Sequence, residues 1–312
     1  MSTVLVTGVA GGLAQAVCRA LREEGVEVVG VDYRPPQQAL PEGVRFFRAS
    51  YNKTGIEDVF RRNKIDAVLH LGRVGDLRQD SERRFDLNVV GTQKIMNLCV
   101  EHGVKRLVVL STFHIYGAHP ANHTPIQEDE PLRAGLEFPE IGDAIQLDNM
   151  ASTWIYRHPE VSTAVLRMVN VVGPSIKNSM SQFLRAERVP FLLGYNPMVQ
   201  FIHEEDAVRA LLLACRKPIA GVFNVAGSDV VPWKTALKLT GAKLWPIPSS
   251  LVSAALKVGG WFPAYLVNFF RYPCIISDRS FRTRFGWSPS LSIEETLWST
   301  VKDARARQRA DR

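Results

Sequence analysis

The stretch at residues 4–14, VLVTGVAGGLA, constrains this chain more than any other. Val4, Leu5 and Val6 form a short apolar run closed by turn residues, the pattern of a buried strand. After Thr7, the spacing Gly8-x-x-Gly11-x-x-Ala14 leads into an apolar periodicity at Leu13, Ala16, Val17, Ala20 and Leu21 that predicts a helix. Gly8 permits the sharp bend, and Gly11 lets backbone amides come close to a pyrophosphate. The small residue at 14 lets helix and strand pack tightly, while the helix N-terminus favours an anionic group. A second strand, 26–31, ends at Asp32, near the spacing expected of a carboxylate that accepts from a ribose hydroxyl. A βα turn that binds nothing needs similar glycines; Asp32 tips the reading towards a dinucleotide.

Downstream, apolar runs alternate with helical periodicity. Strands are expected at 44–47, 66–71, 106–110 and 161–167, and helices at 55–62, 81–102 and 143–156. In the long helix 81–102, Phe85, Val89, Ile95, Leu98 and Cys99 are expected to face inward. Residues 113–142 read as loop and 170–174 as a turn. Short strands (198–202, 222–225) and helices (205–215, 232–239) follow. This alternation predicts an α/β fold: a Rossmann-type doubly wound parallel sheet with its ligand beyond the strand C-termini. A dinucleotide-binding domain over 1–170 would precede a smaller C-terminal substrate lobe over 171–312.

The formal charge of +7 is spread along 312 residues, apart from a basic tail at 302–312 that reads as a solvated helix end. No nucleic-acid partner is expected. Cys18, Cys99, Cys215 and Cys274 lie far apart without a CxxC spacing, so no metal is expected; Cys18, Cys99 and Cys215 fall in helical apolar patterns and are expected as buried thiols in a reducing compartment. The chain runs straight into its first strand, leaving no room for a signal peptide, so a cytoplasmic location is expected.

Further motifs recur in a fixed order: His70-Leu-Gly72, Asn88-Val-Val-Gly-Thr92, Ser111-Thr-Phe-His-Ile-Tyr-Gly117, Leu166-Arg-Met-Val-Asn-Val-Val-Gly-Pro174, Phe201-Ile-His-Glu-Glu-Asp206 and Gly221-Val-Phe-Asn-Val225. With the glycine turn and Asp32, they make the chain resemble the extended short-chain dehydrogenase/reductases, which include nucleotide-sugar epimerases, dehydratases and ketoreductases. The resemblance implies that Gly8, Gly11, Gly12 and Leu13 hold a pyrophosphate and Asp32 the adenosine ribose. It also implies that Tyr33, Arg34, Ser50, Tyr51, Leu71, Gly72, Arg73, Ser111 and Val169 line the cofactor and that Asn88 floors the site. Ser50 departs from the family pattern, where an adenine-contacting Asp is usual. Asp32 would repel a 2′-phosphate and favours NADH; Arg34 leaves NADPH open, although a solvated loop arginine explains it equally well.

The family's Tyr-x-x-x-Lys pair is missing. Counting back from Leu166-Arg167 puts it at about Ile145 and Asn149, where neither residue type stands. Thr112 keeps the family's Ser/Thr position, and His114 is a candidate proton source or a loop histidine bonded to backbone. Two readings follow: a reductase working without a protein phenol, or a protein that binds nucleotide without turnover.

The segment 244–276 is strongly apolar and reads as a helical hairpin: Ser249-Ser250 caps a helix through Val258, Gly259-Gly260 ends it, and a second helix runs from about Trp261 or Phe262 to Phe270. Each arm is too short to span a membrane. Lobe core, interfacial anchor or a lid over a bulky ligand all suit it. As a lid, its aromatic side chains Trp245, Trp261, Phe262, Phe269, Phe270 and Tyr272, with Asn170, suit a small hydrophobic, largely flat substrate better than a diphosphate. The lost Tyr and Lys, the kept glycine turn and the aromatic helices together resemble the angucyclinone ketoreductases of antibiotic biosynthesis, which act on aromatic polyketides. Substrate identity, stereochemistry and oligomeric state stay open.

Overall fold

The computed structural model describes residues 2–75, 79–249 and 264–310. The chain opens with β1 (Thr3–Thr7), α1 (Gly12–Glu23), β2 (Glu27–Asp32), β3 (Val44–Arg48), α2 (Gly55–Arg62) and β4 (Ala67–His70). Then come α3 (Ser81–Phe85), a π turn (Asp86–Val90), α4 (Gly91–Glu101), β5 (Arg106–Thr112), α5 (Ala134–Glu137), α6 (Gly142–Arg157) and β6 (Ser162–Met168). The second half holds β7 (Asn170–Val172), α7 (Ser179–Arg185), β8 (Arg188–Leu192), β9 (Met198–Val199), β10 (Phe201–His203), α8 (Glu204–Arg216) and β11 (Gly221–Val225). It closes with β12 (Val231–Pro232), α9 (Trp233–Leu239), β13 (Lys243–Ile247), α10 (Ala264–Phe269), α11 (Arg279–Phe285) and α12 (Ile293–Ala310).

Seven strands form one parallel sheet in the order β11-β6-β5-β4-β1-β2-β3. Leu5, Val6, Val29, Val68, Leu69, Val109, Val165 and Leu166 are buried, as continuous apolar strands covered on both faces require. α1 and α8 cover one face through Val17, Cys18, Leu211 and Leu212. α2, α4 and α6 cover the other through Ile56, Val59, Ile95, Leu98, Leu147 and Ala151. The strand order reverses between β1 and β4, so a crevice opens beyond their C-terminal ends. This is the doubly wound Rossmann-type arrangement that the sequence predicts.

The helix expected over 81–102 is not continuous. Its hydrogen bonding widens to a π turn at Asp86–Val90, which places one extra residue in the turn and shifts the helical phase. Phe85, expected inward, is therefore 39% exposed, and Arg84 takes the inward position at 4%. Val89, within the turn, and Ile95, Leu98 and Cys99, beyond it, are buried as expected.

Residues 170–174, read as a turn, begin with a strand: β7 pairs in parallel with β10. The strand expected over 198–202 is two strands, β9 pairing antiparallel with β12 and β10 with β7. The apolar segment 244–276 opens within β13, paired with β8, ahead of the first expected helix. Trp245 is 64% exposed on that strand, because alternate side chains of a strand point to opposite faces. The first arm of the expected hairpin lies outside the described residues; α10 falls within the second. Phe270 stacks on Phe183 and Trp233 inside the small lobe, and Tyr272 meets Tyr195 edge-on. After residue 170 the chain builds this lobe around Val172, Leu184, Phe201, Trp233 and Leu297. It returns to the central sheet through α8 and β11.

All four cysteines are free and buried. Among the described residues no helix is long and apolar enough to cross a membrane, and no group of three or more His, Cys, Asp or Glu residues could hold a metal.

Gly8 has φ +79°, and a Cβ there would lie 2.7 Å from Gly72 Cα. Gly8→Ala is expected to lower stability by about 1–3 kcal/mol through backbone strain and crowding, read as a fall in the urea midpoint at unchanged m-value.

Candidate active site

Three glycines serve three separations. Gly8 lets β1 approach the β4 end at Gly72. Gly12 lets α1 approach the second half, since a Cβ there would strike Ser175 O at 2.4 Å. At Gly11 a Cβ would meet only Gly8 O, at 3.2 Å, which leaves its outer side for a ligand. The amides of Gly12, Leu13 and Ala14 open α1 and have no intrahelical acceptor, so they and the helix dipole suit a phosphate. These residues fit the pyrophosphate of a dinucleotide.

Asp32 closes β2 with no exposed surface. Its Oδ2 accepts from the Ala10 amide at 3.0 Å and its Oδ1 from the Arg34 amide at 2.9 Å, with Arg34 Nε 3.6 Å away. The Tyr51 hydroxyl, buried against Gly72, accepts from the Gly8 amide at 2.9 Å. Burial, then the neighbouring Asp32 charge, push its phenol far up, so it stays neutral. Ser50 Oγ donates to Asn52 Oδ1 at 2.6 Å.

Behind the β1 and β4 ends runs a directed chain of hydrogen bonds. Thr7 Oγ1 accepts the amides of Leu71 (3.1 Å) and Gly72 (3.0 Å) and gives its proton to His70 Nδ1 at 2.8 Å. Burial lowers the His70 imidazole to about 4, so the ring is neutral and Nε2–H donates to Thr92 Oγ1 at 2.9 Å. Thr92 donates in turn to Asn88 O. The Asn88 side chain then pairs both ways with the Val74 backbone, at 2.7 and 3.0 Å, and donates to Asp143 Oδ2 at 2.6 Å. Leu71, Gly72 and Arg73 are thereby fixed as one wall of the crevice. Arg84 reaches the same place, donating to Glu140 O at 2.6 Å and lying 3.8 Å from Asp143 Oδ1. Among the described residues its buried Nε and Nη1 find no acceptor.

A second network lies under β5 and β6. Arg167 grips Asp148 with two nitrogens, at 3.0 and 2.6 Å, and donates to Tyr116 Oη at 2.8 Å and Glu128 O at 2.7 Å. Tyr116 donates to Asn224 Oδ1 at 2.8 Å, and Ser111 Oγ donates to Asp148 Oδ2 at 2.5 Å. Burial opposes the Arg167 charge, but the Asp148 carboxylate outweighs it and the guanidinium stays protonated. Ser111 is therefore tied into the network, while Thr112 is not. Thr112 Oγ1 accepts weakly from the His114 amide at 3.4 Å, and among the described residues no acceptor takes its proton.

His114 packs on Phe113 (4.4 Å between ring centroids) and edge-on to Phe269 (4.8 Å). Burial, helped by the Arg73 charge, lowers its imidazole to about 3. At neutral pH it offers a ring N–H, not an imidazolium. Val169 is buried and its amide donates to Val225 O, while Asn170 is half-buried at the start of β7. Trp261 and Phe262 lie outside the described residues.

On α6 the positions reached by counting, Ile145 and Asn149, carry neither a phenol nor an ammonium. Ile145 packs beside Ala134, Ile141 and Phe269, and Asn149 is exposed. The inward face carries Asp143, Ala144, Leu147, Asp148, Ala151 and Trp154, with no Tyr or Lys. Sequence reasoning missed Arg84, Asp143, Asp148 and Arg167. Two carboxylates on the apolar face of α6 were the available signal, since such groups are buried only with partners.

Fold and crevice together define a dinucleotide-binding α/β protein. Residues 4–226 match the model of the NAD dependent epimerase/dehydratase family, and the chain belongs to that family. It is 27% identical over 255 residues to the uncharacterized protein Rv0501 of Mycobacterium tuberculosis, covering 78% of this chain and 67% of that one. It is 26% identical to the UDP-glucuronate 4-epimerase of Thermodesulfobacterium geofontis, covering 96% of this chain and 95% of that one. Among solved structures, MoeE5 in complex with UDP-glucuronic acid and NAD superposes with a TM-score of 0.78 at 24% identity, covering 98% of this chain and 100% of that one.

Removing one partner of the buried ion pair leaves an uncompensated charge. Arg167→Met is expected to cost about 3–5 kcal/mol in urea unfolding, and adding Asp148→Leu to recover much of that loss. The two histidines predict a pH dependence. Both stay neutral in the folded chain, at about 4 and about 3, whereas an unfolded imidazole titrates near 6.5. The unfolded state therefore binds protons first, and stability falls as pH drops below about 6.5, levelling off near the folded values. Imidazole NMR titration should find both rings unprotonated at pH 5.

Proposed function

We propose that this chain is an NAD(P)H-dependent ketoreductase acting on a bulky, largely apolar ketone of the aromatic-polyketide (angucyclinone) kind, without a Tyr–Lys pair. One observation carries the reading: α6 offers the crevice neither phenol nor ammonium, and its buried Asp148 is consumed by Arg167. The reduced nicotinamide supplies hydride to the carbonyl carbon when bound. The protein's part is to position and to stabilise. Gly11 and the first turn of α1 hold the pyrophosphate, Asn88 and the 71–74 wall fix the reacting end, and Thr112 donates to the growing alkoxide. Phe113, His114 and Phe269 give an aromatic wall suited to a flat substrate. With no protein acid at hand, the alkoxide takes its proton from a hydroxyl beside the ketone on the substrate itself, and the oxygen so ionised recovers a proton from water as the product leaves.

A second reading, a nucleotide-sugar epimerase or dehydratase, is favoured by the activities named for relatives such as the UDP-glucuronate 4-epimerase. The third is a nucleotide sensor that binds without turnover. Purified protein should oxidise NAD(P)H with hydroxylated polycyclic ketones, and methylating the neighbouring hydroxyl should cut kcat by at least about a hundredfold, the scale of a lost acid catalyst. Equal rates with the methylated analogue refute the substrate-borne proton. Interconversion of UDP- or dTDP-sugars without ketone reduction selects the epimerase reading, and binding with no turnover of either class selects the sensor.

A further inference from the structure

At the opposite ends of the central strands from the glycine turn, the chain leaves a cavity of about 190 Å³. It lies where β1 and β5 begin and where α1 and α8 end. Val4, Leu21, Val26 and Leu212 give it an apolar lining, which Cys215, Arg106 and Arg216 complete. The exposed Ser2 also borders it, so the cavity opens to solvent. Pockets for drug-sized ligands run to roughly 300 Å³ or more, so this space suits a molecule of a few carbons.

The two guanidiniums are not equivalent. Arg216 donates to Glu24, which neutralises it. Arg106 donates through Nη1 to Arg216 O at 3.2 Å, answering the carbonyl end of α8. Its Nε is buried without an acceptor, and among the described residues no carboxylate pairs with it. A buried donor left without a partner carries a desolvation cost that a ligand would remove. Water is poorly suited to the place, since a buried water makes about three hydrogen bonds and this lining is mainly carbon. The Cys215 thiol supplies no counter-charge: burial pushes it up to about 11, against the lowering effect of both arginines, so it stays protonated. The cavity therefore presents one unanswered cationic donor within an apolar wall.

We propose that this cavity binds a short-chain aliphatic carboxylate, its tail against Val4, Leu21, Val26 and Leu212 and its head accepting from Arg106 Nε. A carboxylate makes a charge-assisted hydrogen bond there, an alcohol only a weaker one, and an amine meets a like charge. The apolar wall favours a tailed acid over a small bare anion. The site is separate from the dinucleotide crevice and does not depend on the reductase reading.

Calorimetry on the whole chain with hexanoate, acetate, hexan-1-ol and hexylamine tests this. Hexanoate should bind with a dissociation constant of about 1 mM, the scale for a ligand of its size, and the other three at least about tenfold more weakly. Arg106→Met, which removes the donor, and Cys215→Met, which fills the space, should each weaken hexanoate at least about tenfold, with urea midpoints confirming that both variants fold. A further readout needs no variant: hexanoate should slow methyl methanethiosulfonate labelling of Cys215, mapped by mass spectrometry, and leave the other three cysteines unchanged. Absence of hexanoate binding, equal binding of hexan-1-ol, affinity that survives either substitution, or Cys215 labelling indifferent to hexanoate each overturn the inference. The dinucleotide site stands in every case.

Discussion

The buried pairing of Arg167 with Asp148 constrains everything around it. One guanidinium, taken out of water, must find acceptors for its hydrogens on every side, and it draws them from α6, from Tyr116 in the turn after β5, from the 128 loop and, through Tyr116 and Asn224, from β11. Four elements are thereby fixed relative to one another under the reacting end of the crevice. The same pairing fixes which side chains are left for chemistry. Ser111 is drawn under the sheet by Asp148, while Thr112, one residue on, points the other way and keeps its hydroxyl proton. Alternation along a strand and one ion pair thus divide two adjacent hydroxyls into a structural and an available one.

The π turn has a comparable reach. Arg84, just before this turn, and Asn88, within it, stand four residues apart on one side, and both meet Asp143 at the start of α6. The α6 N-terminus therefore meets a guanidinium and an amide rather than apolar surface. The relay from Thr7 through His70 and Thr92 to Asn88 continues the same polar seam back to β1. The seam works with a neutral imidazole, because a protonated ring would have no acceptor nitrogen left for Thr7.

Much of this was legible in the sequence, and what was not follows from distance along the chain. The glycine turn, Asp32 and the apolar strands are local signals, and each predicts an element close to its observed bounds. Alternation of strands and helices then gives the sheet. Side-chain pairing is not local: Arg167 and Asp148 stand 19 residues apart, and Asn88 and Asp143 stand 55 apart. The π turn leaves no mark in composition, so helical periodicity puts Phe85 inside and gives no hint of the buried Arg84. Counting back from β6 to α6 missed the inward face because the loop between them sets the helix's rotation, which spacing alone does not determine. Trp245 stands on β13, where strand alternation turns its ring to solvent, a placement that apolar composition alone does not reveal.

β11 enters the central sheet long after the other six strands have left the ribosome. Until residue 225 emerges, β6 displays a full ladder of unpaired amides and carbonyls along its free margin, and Asn224 is missing from its place beside Tyr116. A nascent or truncated chain ending near residue 170 would carry the whole glycine turn and yet present a sticky border to other chains. The late strand thus acts as a molecular selvedge, and completion of the nucleotide half waits on the half that follows it.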